Sequence, residues 1–460
     1  MNEASTPSIG PLRIAIATLT FVLTLAVRVW GINTRFWLLG DQIRDWTIAL
    51  RPFSELPLVG PPTHVGGYTI GPAFYWILWA IRVSVGPWFD NLPHAGGIGQ
   101  AILQSGADTL LLVAVWRRTQ SIWIALTTVV LLATAAFDLS LSALIWNPVA
   151  GETLAKIATA LVLLNWSRRS GIAVALTAAV AWCAVQSYTG AIFVAVSVFV
   201  ALLIDPIARG DRGSVRRNAV LIGVVVVLLQ LPHAAHQVAN RFSDSAMAAV
   251  TGGVGRILSG SDGPRFAESQ AGYAGAFSFI EVQPWQLPWF AWVLTACGAI
   301  VAVRYRRDPP ILTMTLLPQL AAIVGYAFFL GELAQYYYLS LMPAAVLTIL
   351  LGATAMPSHR VAHAVSIVLF VAAVAIAPAR IRFAATMLGP SPYGVVVEAS
   401  REIVRLGRPM RAIETDFSQP PTSDPEFVYK ILGGQIDRAS PWVGVITADG
   451  RVVYRRVEGS

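Results

Sequence analysis

Charged residues are concentrated between positions 35 and 55, directly after the first long apolar run of the sequence. Asp41 and Asp45 are four residues apart, and Arg44 lies between them. A helix over this stretch would place the two carboxylates on one face. Charge near lipid is energetically expensive, so this cluster indicates a carboxylate held at the membrane surface beside a groove. The alternative is a solvated loop whose charges form ion pairs.

A glycine- and proline-rich stretch follows at 60–72 and leads into an aromatic run. It contains His64 and Tyr68, and Tyr75 comes shortly after it. Glycine lets the backbone approach a ligand closely, and proline fixes the direction of the helix that follows. These three side chains are therefore candidate substrate-binding residues.

A long polar connector at 233–286 carries a second set of candidates, which are Arg241, Arg256, Arg265, His233 and His236. Its many glycines fit a lid that closes on a substrate, and they equally fit a mobile loop. Two histidines three residues apart are a weak metal signal. No metal ligand is therefore predicted, and the need for a divalent metal is left open.

Polar residues also stand at or within the apolar runs. A late run begins with Gln335, Tyr336 and Tyr337, where tyrosine usually anchors a helix at the interface and substrate binding is the alternative. Asp108 is expected to be a single buried carboxylate, and so a functional candidate. Glu152 and Lys156 are expected to pair with each other.

The composition indicates the environment in which these residues work. Of the 460 residues, 55% are hydrophobic and only 13% are charged, about half the charged fraction of a soluble domain. This excludes a cytosolic globular protein, a disordered chain and a disulfide scaffold. The apolar runs are too long for the strands of a barrel, so the sequence predicts an all-α polytopic membrane protein. No block of like charge suggests nucleic-acid binding.

The apolar runs and the arginines predict the topology. Arginine clusters recur in every second connector, at 117–118, 168–169, 209–217, 304–307 and 360, and such connectors are cytoplasmic. The run at 71–86 contains Trp76, Trp79 and Arg82, which suit an interfacial amphipathic helix. We therefore predict about 11 transmembrane helices, with 12 as the alternative if 71–86 crosses. The first outer loop, 31–96, and the long outer loop, 233–286, then lie on the extracytoplasmic side of the cell membrane.

Two domains are predicted. Residues 1–385 form the transmembrane catalytic domain. Residues 390–460 form a small extracytoplasmic α/β domain with helices near 395–407 and 424–433. A hairpin is expected there from 442 to 457, with Asp449-Gly450 in its turn.

The order of several motifs resembles the membrane glycosyltransferases of the GT-C superfamily, especially the protein O-mannosyltransferases and the lipid A aminoarabinose transferases. Those families share, in order, an acidic pair after span one, a proline-rich segment, a basic turn, an Arg-Pro-Asp-type segment in the second outer loop and a late Tyr-x-x-Pro-type segment. The matching segments here are Asp41-Gln42, Gly71–Tyr75, Ala114–Arg118, Trp146–Pro148 and Gln335–Pro343. Two positions depart from the family pattern: Gln42 stands for a Glu and Asn147 for an Asp.

The resemblance implies an inverting transferase. Such an enzyme moves a sugar from a polyprenyl-phosphate donor to an acceptor of the cell envelope, which is a lipid, glycan or protein. Asp41 is then expected to be the general base, with Asp45 as the alternate base or an orienting partner. Arg44 keeps the base ionised, and Arg241, Arg256 and Arg265 are candidates for the donor phosphate.

Two other functions use the same class of substrate. An envelope polysaccharide polymerase or ligase would have paired arginines in a large outer loop. A transporter of lipid-linked glycans would show internal repeats and polar residues near mid-membrane. In this sequence the charges cluster in the predicted outer loops, which favours a transferase.

Overall fold

The structure is a computed structural model that describes residues 10–63, 67–242, 252, 255–261, 263–276, 288–329, 331 and 333–457. It is a helical bundle that carries a small three-stranded sheet near the end of the chain. The helices of the first half are α1 (Pro11–Val29), α2 (Ile32–Arg35), α3 (Gly40–Ala49), α4 (Ala73–Ser84), α5 (Pro93–Thr119), α6 (Ile122–Ala133), α7 (Ala136–Ser140), α8 (Asn147–Leu163), α9 (Gly171–Ser187), α10 (Ile192–Ala208) and α11 (Arg212–Ala239).

The second half continues with α12 (Phe266–Ala276), α13 (Pro288–Arg304), α14 (Pro309–Thr315), α15 (Leu317–Ala327), α16 (Met342–Ala353), α17 (His359–Met387), α18 (Tyr393–Arg405) and α19 (Pro425–Ile431). The strands are β1 (Ala412–Asp416), β2 (Trp442–Thr447) and β3 (Val452–Arg456).

Seven helical segments within the described part are long and apolar enough to cross a membrane, which confirms the polytopic helical class. They are Pro11–Val29, Pro93–Thr119, Thr189–Ala208, Arg212–Ala239, Pro309–Ala327, Gln335–Ala353 and His359–Met387. Four shorter apolar helices are Ala73–Ser84, Ile122–Ala133, Gly171–Ser187 and Phe290–Arg304. The count of about 11 crossings remains a prediction.

The long helices differ in how much of their surface the protein covers. The apolar windows of α11 and α17 are only 6% and 11% buried, whereas that of α5 is 61% buried. A helix that is apolar on an uncovered face needs lipid as its neighbour. Helices α11 and α17 therefore lie at the periphery of the bundle, and α5 packs against α1, α6 and α8 in its interior.

In the sequence, α3 and α4 come between the long helices α1 and α5, and the two pack against each other. The Gln42 side chain accepts a hydrogen bond from the Leu39 backbone N–H at 2.6 Å and so caps the start of α3. The Arg82 guanidinium of α4 donates to the carbonyls of Ala49 and Leu50, which caps the end of α3. Gln42, which replaces the family's Glu, thus has a structural role that Glu could also fill.

The glycines of the 60–72 stretch bring the backbone close to other parts of the protein. A Cβ at Gly60 would stand 2.7 Å from the Gly71 carbonyl oxygen, and a Cβ at Gly71 would meet the Gln186 side chain at 2.3 Å. The Ile70 carbonyl accepts a hydrogen bond from Gln230 at 2.8 Å. This stretch is therefore folded against α9 and α11, and its glycines serve that packing.

Asp108 is not a single buried carboxylate, which corrects the expectation from the sequence. Arg28, at the end of α1, donates to Asp108 at 2.6 Å and to Asp138 at 2.9 Å. Lys156 lies 3.2 Å from Asp108 and 2.7 Å from Glu152, so the predicted Glu152–Lys156 pair is present. All five side chains are 0–1% exposed. We call them the buried charge network.

The long helix α11 changes one predicted boundary. The sequence prediction ends the apolar run at 232 and begins the outer loop at 233, whereas α11 continues through Pro232 to Ala239. His233 and His236 therefore lie on its last turns. The His233 ring contacts the Gln237 side chain. The apolar run ends where polar residues begin, but the helix continues past them to Ala239.

The small sheet near the end of the chain contains the predicted hairpin and one further strand. Strands β2 and β3 pair antiparallel through the Asp449-Gly450 turn, where Gly450 has a φ of 85°. Strand β1 pairs with β2 in parallel. Helices α18 and α19 bury Tyr393, Val396, Val428 and Tyr429 against the sheet and one another.

This terminal unit contacts the segment that follows α1. Leu38 donates its backbone N–H to Pro421 at 3.0 Å, and Ser423 donates back to Leu38 at 3.1 Å. The Ser391 backbone N–H donates to the Thr34 carbonyl, and its hydroxyl donates to the Phe36 carbonyl. The first loop and the terminal unit therefore lie at the same end of the bundle.

Candidate functional site

Four of the predicted site residues come together at α3 and α4. Arg44 donates through Nη1 to Asp41 at 2.8 Å and through Nε to Asp45 at 2.9 Å. The Tyr75 hydroxyl donates to the same Asp45 oxygen at 3.1 Å. One guanidinium therefore bridges both carboxylates, and a tyrosine from the neighbouring helix holds the inner one.

The two carboxylates have opposite environments. The Asp41 side chain is 64% exposed, whereas that of Asp45 is 1% exposed. Burial raises the pKa of Asp45 to about 6, although hydrogen bonds from Arg44 and Tyr75 oppose that rise. Its Oδ2 has no hydrogen-bond partner among the described residues. Asp41 is thus the carboxylate that an incoming molecule can reach, and Asp45 orients Arg44 from beneath.

A buried tryptophan fixes the position of α3. Trp46 is completely buried, and its indole N–H donates to the Asn91 carbonyl at 3.0 Å. Arg82 holds the other end of α3, because its guanidinium donates to the carbonyls of Ala49 and Leu50. The sequence identified Arg82 as an interfacial residue but gave no sign of this role, because the two segments are more than thirty residues apart.

The predicted residues at the start of the late apolar run lie in a cluster of aromatic rings. Tyr336 packs on Trp146 with ring centroids 5.0 Å apart. Tyr337 stacks on Tyr326 at 6.0 Å, and its carbonyl accepts a hydrogen bond from the Tyr326 hydroxyl. Gln335 begins the same turn and is exposed.

The end of α9 joins this aromatic cluster to the stretch before α4. Gln186 packs against Gly71, the Ser187 carbonyl accepts from Asn147, and Tyr188 lies 6.4 Å from the Tyr337 ring. The sequence gave no signal for Gln186. Its importance follows only from where the glycines pack.

The remaining candidates lie near the long predicted loop. Tyr68 is 40% exposed, and its ring lies edge-on to His236 at 5.7 Å. Arg241 is exposed, with a φ of 52° just beyond α11, and Arg256 is also exposed. Arg265 pairs with Glu268 at 3.0 Å and donates to the carbonyls of Phe329 and Gly331, so much of its guanidinium is already engaged. His64 lies outside the described residues.

Within the described ranges, no group of three or more His, Cys, Asp or Glu side chains is arranged so that it could hold a metal ion. His233 and His236 sit on the last turns of α11, and the Tyr68 ring lies beside His236. The described part of the chain therefore offers no ligand set from which a metal could be assigned.

Solved structures share this architecture. ArnT from Cupriavidus metallidurans, bound to undecaprenyl phosphate, superposes with a TM-score of 0.52 and 16% identity, over 93% of this chain and 86% of that one. The archaeal oligosaccharyltransferase AglB from Archaeoglobus fulgidus, in complex with an inhibitory peptide and a dolichol-phosphate, gives 0.52 and 12% over 97% and 74%. A complex of the Archaeoglobus fulgidus oligosaccharyltransferase with Zn and sulfate gives 0.52 and 13% over 94% and 67%.

No protein-family profile and no curated protein sequence matches this chain. The similarity to solved structures extends over nearly the whole chain at 16% identity or less, so it concerns the fold. The resemblance seen in the order of the motifs is confirmed at that level: this chain has the fold of ArnT and AglB, two glycosyltransferases of the GT-C type.

Proposed function

We propose that this chain is an inverting glycosyltransferase that moves a sugar from a polyprenyl-phosphate donor to an envelope acceptor at the outer face of the membrane. The main support is the exposed carboxylate of Asp41, held by Arg44 over a buried Asp45–Tyr75 pair directly after the first long helix. The fold shared with ArnT and AglB, solved with undecaprenyl phosphate and dolichol-phosphate respectively, supports the donor class.

Asp41 is the general base in this proposal. It removes the proton from an acceptor hydroxyl while that oxygen attacks the anomeric carbon of the sugar. The bond from the anomeric carbon to the donor phosphate breaks on the opposite face, and the electron pair leaves with the phosphate. Arg44 preorganises the Asp41 carboxylate. Arg44 is itself held in place by Asp45, which is buried beneath it.

The leaving phosphate gains one negative charge and needs a cation. Arg241 and Arg256 are the exposed candidates among the predicted phosphate ligands. Arg265 already donates to Glu268 and to two carbonyls, so part of its guanidinium is not available to a phosphate. The Tyr336–Tyr337 turn is proposed to line the donor side, because aromatic rings suit the apolar face of a lipid-linked sugar.

The test is transfer from a polyprenyl-phosphate sugar by purified Asp41→Asn. Loss of a general base lowers the rate by about 10²–10⁴. Asp41 is mostly exposed, so the variant should fold and bind the donor as the wild type does. Glu55→Gln is the matched control, since Glu55 is an exposed carboxylate of the same loop and should keep the wild-type rate. Wild-type transfer by Asp41→Asn would remove Asp41 from the mechanism.

A further inference from the structure

A cavity of about 560 Å³ lies between the terminal unit and the first loop. Its walls come from α2, from the segment just before α5, from α18 and from the β2–β3 turn. The volume is typical of sites for small molecules. None of the residues assigned above to the transfer reaction lines it.

One wall of the cavity contains a buried polar atom without a partner. His94 is 9% exposed. Its ring packs against the rings of Phe36 and Tyr393, with centroids 4.8 Å and 4.9 Å away. Its Nε2 makes no hydrogen bond to any described residue. Buried polar atoms are normally paired. His94 is among the residues that line the cavity, so this unpaired nitrogen belongs to its wall.

Charged side chains also line the cavity. Arg401 donates to Glu398 at 2.7 Å and lies 3.9 Å from Asp90. The two carboxylates are 70% and 78% exposed, so their remaining oxygens can accept hydrogen bonds from a ligand. Two carboxylates face one guanidinium, which leaves a net negative charge. The cavity therefore disfavours anions and offers several acceptors for hydroxyl groups.

The third feature is a loop that carries an exposed aromatic ring. Asp90 and Asn91 both have a positive φ, of 52° and 53°, which is rare for two successive residues that are not glycine. The Trp46 indole holds the Asn91 carbonyl in this conformation. Trp88, two residues before Asp90, is 83% exposed at the cavity.

We infer that this cavity is a carbohydrate-binding site that takes a pyranose without negative charge. The face of the Trp88 ring suits the C–H face of a sugar ring. The carboxylates of Asp90 and Glu398 accept from its hydroxyls, and Arg401 and His94 supply the remaining polar contacts. The inference does not rest on the proposed transferase activity, because it concerns binding alone.

Saturation-transfer NMR on the full chain in nanodiscs tests the inference, with methyl pyranosides of glucose, mannose and galactose as probes. At least one should receive saturation above that seen with empty nanodiscs. Trp88→Ala should weaken binding at least about fivefold, the usual effect of removing an aromatic anchor. Asp90→Asn should weaken it as well. Trp292→Ala is the matched control, because Trp292 is 75% exposed and lies on α13, away from the cavity.

Three outcomes would overturn the inference. The first is that none of the probes receives saturation from the protein. The second is equal binding by Trp88→Ala and the control, with unchanged melting temperature showing that both are folded. The third is loss of binding in Asp41→Asn, since that would place the sugar at the proposed catalytic carboxylate. If Asp41→Asn still binds the pyranoside but no longer transfers sugar from the polyprenyl-phosphate donor, the two proposals are supported separately.

Discussion

At the scale of single residues, environment separates two carboxylates that the sequence left as alternatives. Asp41 and Asp45 share Arg44, but one is mostly exposed and the other is buried beneath the guanidinium. A proton acceptor must be reached by its substrate, which favours Asp41. The spacing of four residues predicted a shared helix face but could not say which carboxylate is covered, because the cover comes from Tyr75 on another helix.

The buried carboxylate predicts a pH dependence of stability. The pKa of Asp45 is about 6 in the folded protein and near 3.8 when exposed. The folded state therefore binds this proton more tightly than the unfolded state does. The stabilisation is fully present below about pH 4 and is lost as the pH rises through about 6. The loss amounts to about 3 kcal/mol for two pKa units.

Asp45→Asn removes this titration. From pH 4 to pH 7, the melting temperature of the wild type should therefore fall relative to that of Asp45→Asn. Thermal unfolding of the detergent-solubilised proteins measures both. Asp41→Asn is the control and should leave the pH dependence of the wild type in place, since Asp41 is mostly exposed. Parallel curves for wild type and Asp45→Asn would show that Asp45 has an ordinary pKa.

At the scale of the elements, the buried charge network joins four helices. Arg28 comes from α1, Asp108 from α5 and Asp138 from α7, while Glu152 and Lys156 come from α8. Two cations face three carboxylates, so neutrality requires one proton on the carboxylates. The sequence predicted the Glu152–Lys156 pair because it is local. It did not predict the bonds from Arg28 to Asp108 and Asp138, which join residues 80 and 110 positions apart.

The imbalance of charge predicts which substitutions the network tolerates. Lys156→Met leaves three carboxylates facing one guanidinium, and removing one partner of a buried ion pair costs about 3–5 kcal/mol. Glu152→Gln removes the surplus carboxylate and should cost much less. The double variant should therefore be more stable than Lys156→Met alone, as measured by melting temperature in detergent. If Glu152→Gln destabilises the protein as much as Lys156→Met does, the surplus charge lies elsewhere.

Secondary structure was predictable where local chemistry decides it. The Asp449-Gly450 turn gave the β2–β3 hairpin, and the apolar runs gave the long helices. The end of α11 was not predictable from the apolar run, because the helix continues to Ala239, past the point where polar residues begin. The parallel pairing of β1 with β2 was not predicted, since nothing in five residues of sequence specifies a partner thirty positions away.

At the scale of the whole molecule, contacts sort the connectors into two ends. The first loop bonds to the terminal unit at one end. Arg118 pairs with Asp308, so two connectors that the arginine pattern predicts to be cytoplasmic also meet. Arg168 pairs with Asp205 in the same way. The arginine pattern thus predicted which connectors share an end, and the sidedness of the two ends is the remaining prediction.

Labelling of single cysteines tests that sidedness. In a background with Cys183→Ser and Cys297→Ser, Asp41→Cys and Asp449→Cys should react with an impermeant maleimide in intact cells. Arg306→Cys should react only after permeabilisation. All three positions are exposed, so failure to react reports the membrane rather than burial. The reverse pattern would place Asp41 in the cytoplasm and refute the proposed outer-face reaction.

The bond between Leu38 and the segment 421–423 has a consequence for biosynthesis. The ribosome makes residue 38 long before residue 422, and at about 5–20 residues per second the interval is some tens of seconds. During that interval Phe36 and Leu38, which are fully covered in the finished protein, lack their cover. The nascent first loop therefore waits at the translocon in an incomplete state, and a stalled or prematurely terminated chain would expose apolar surface there for quality-control proteases to recognise.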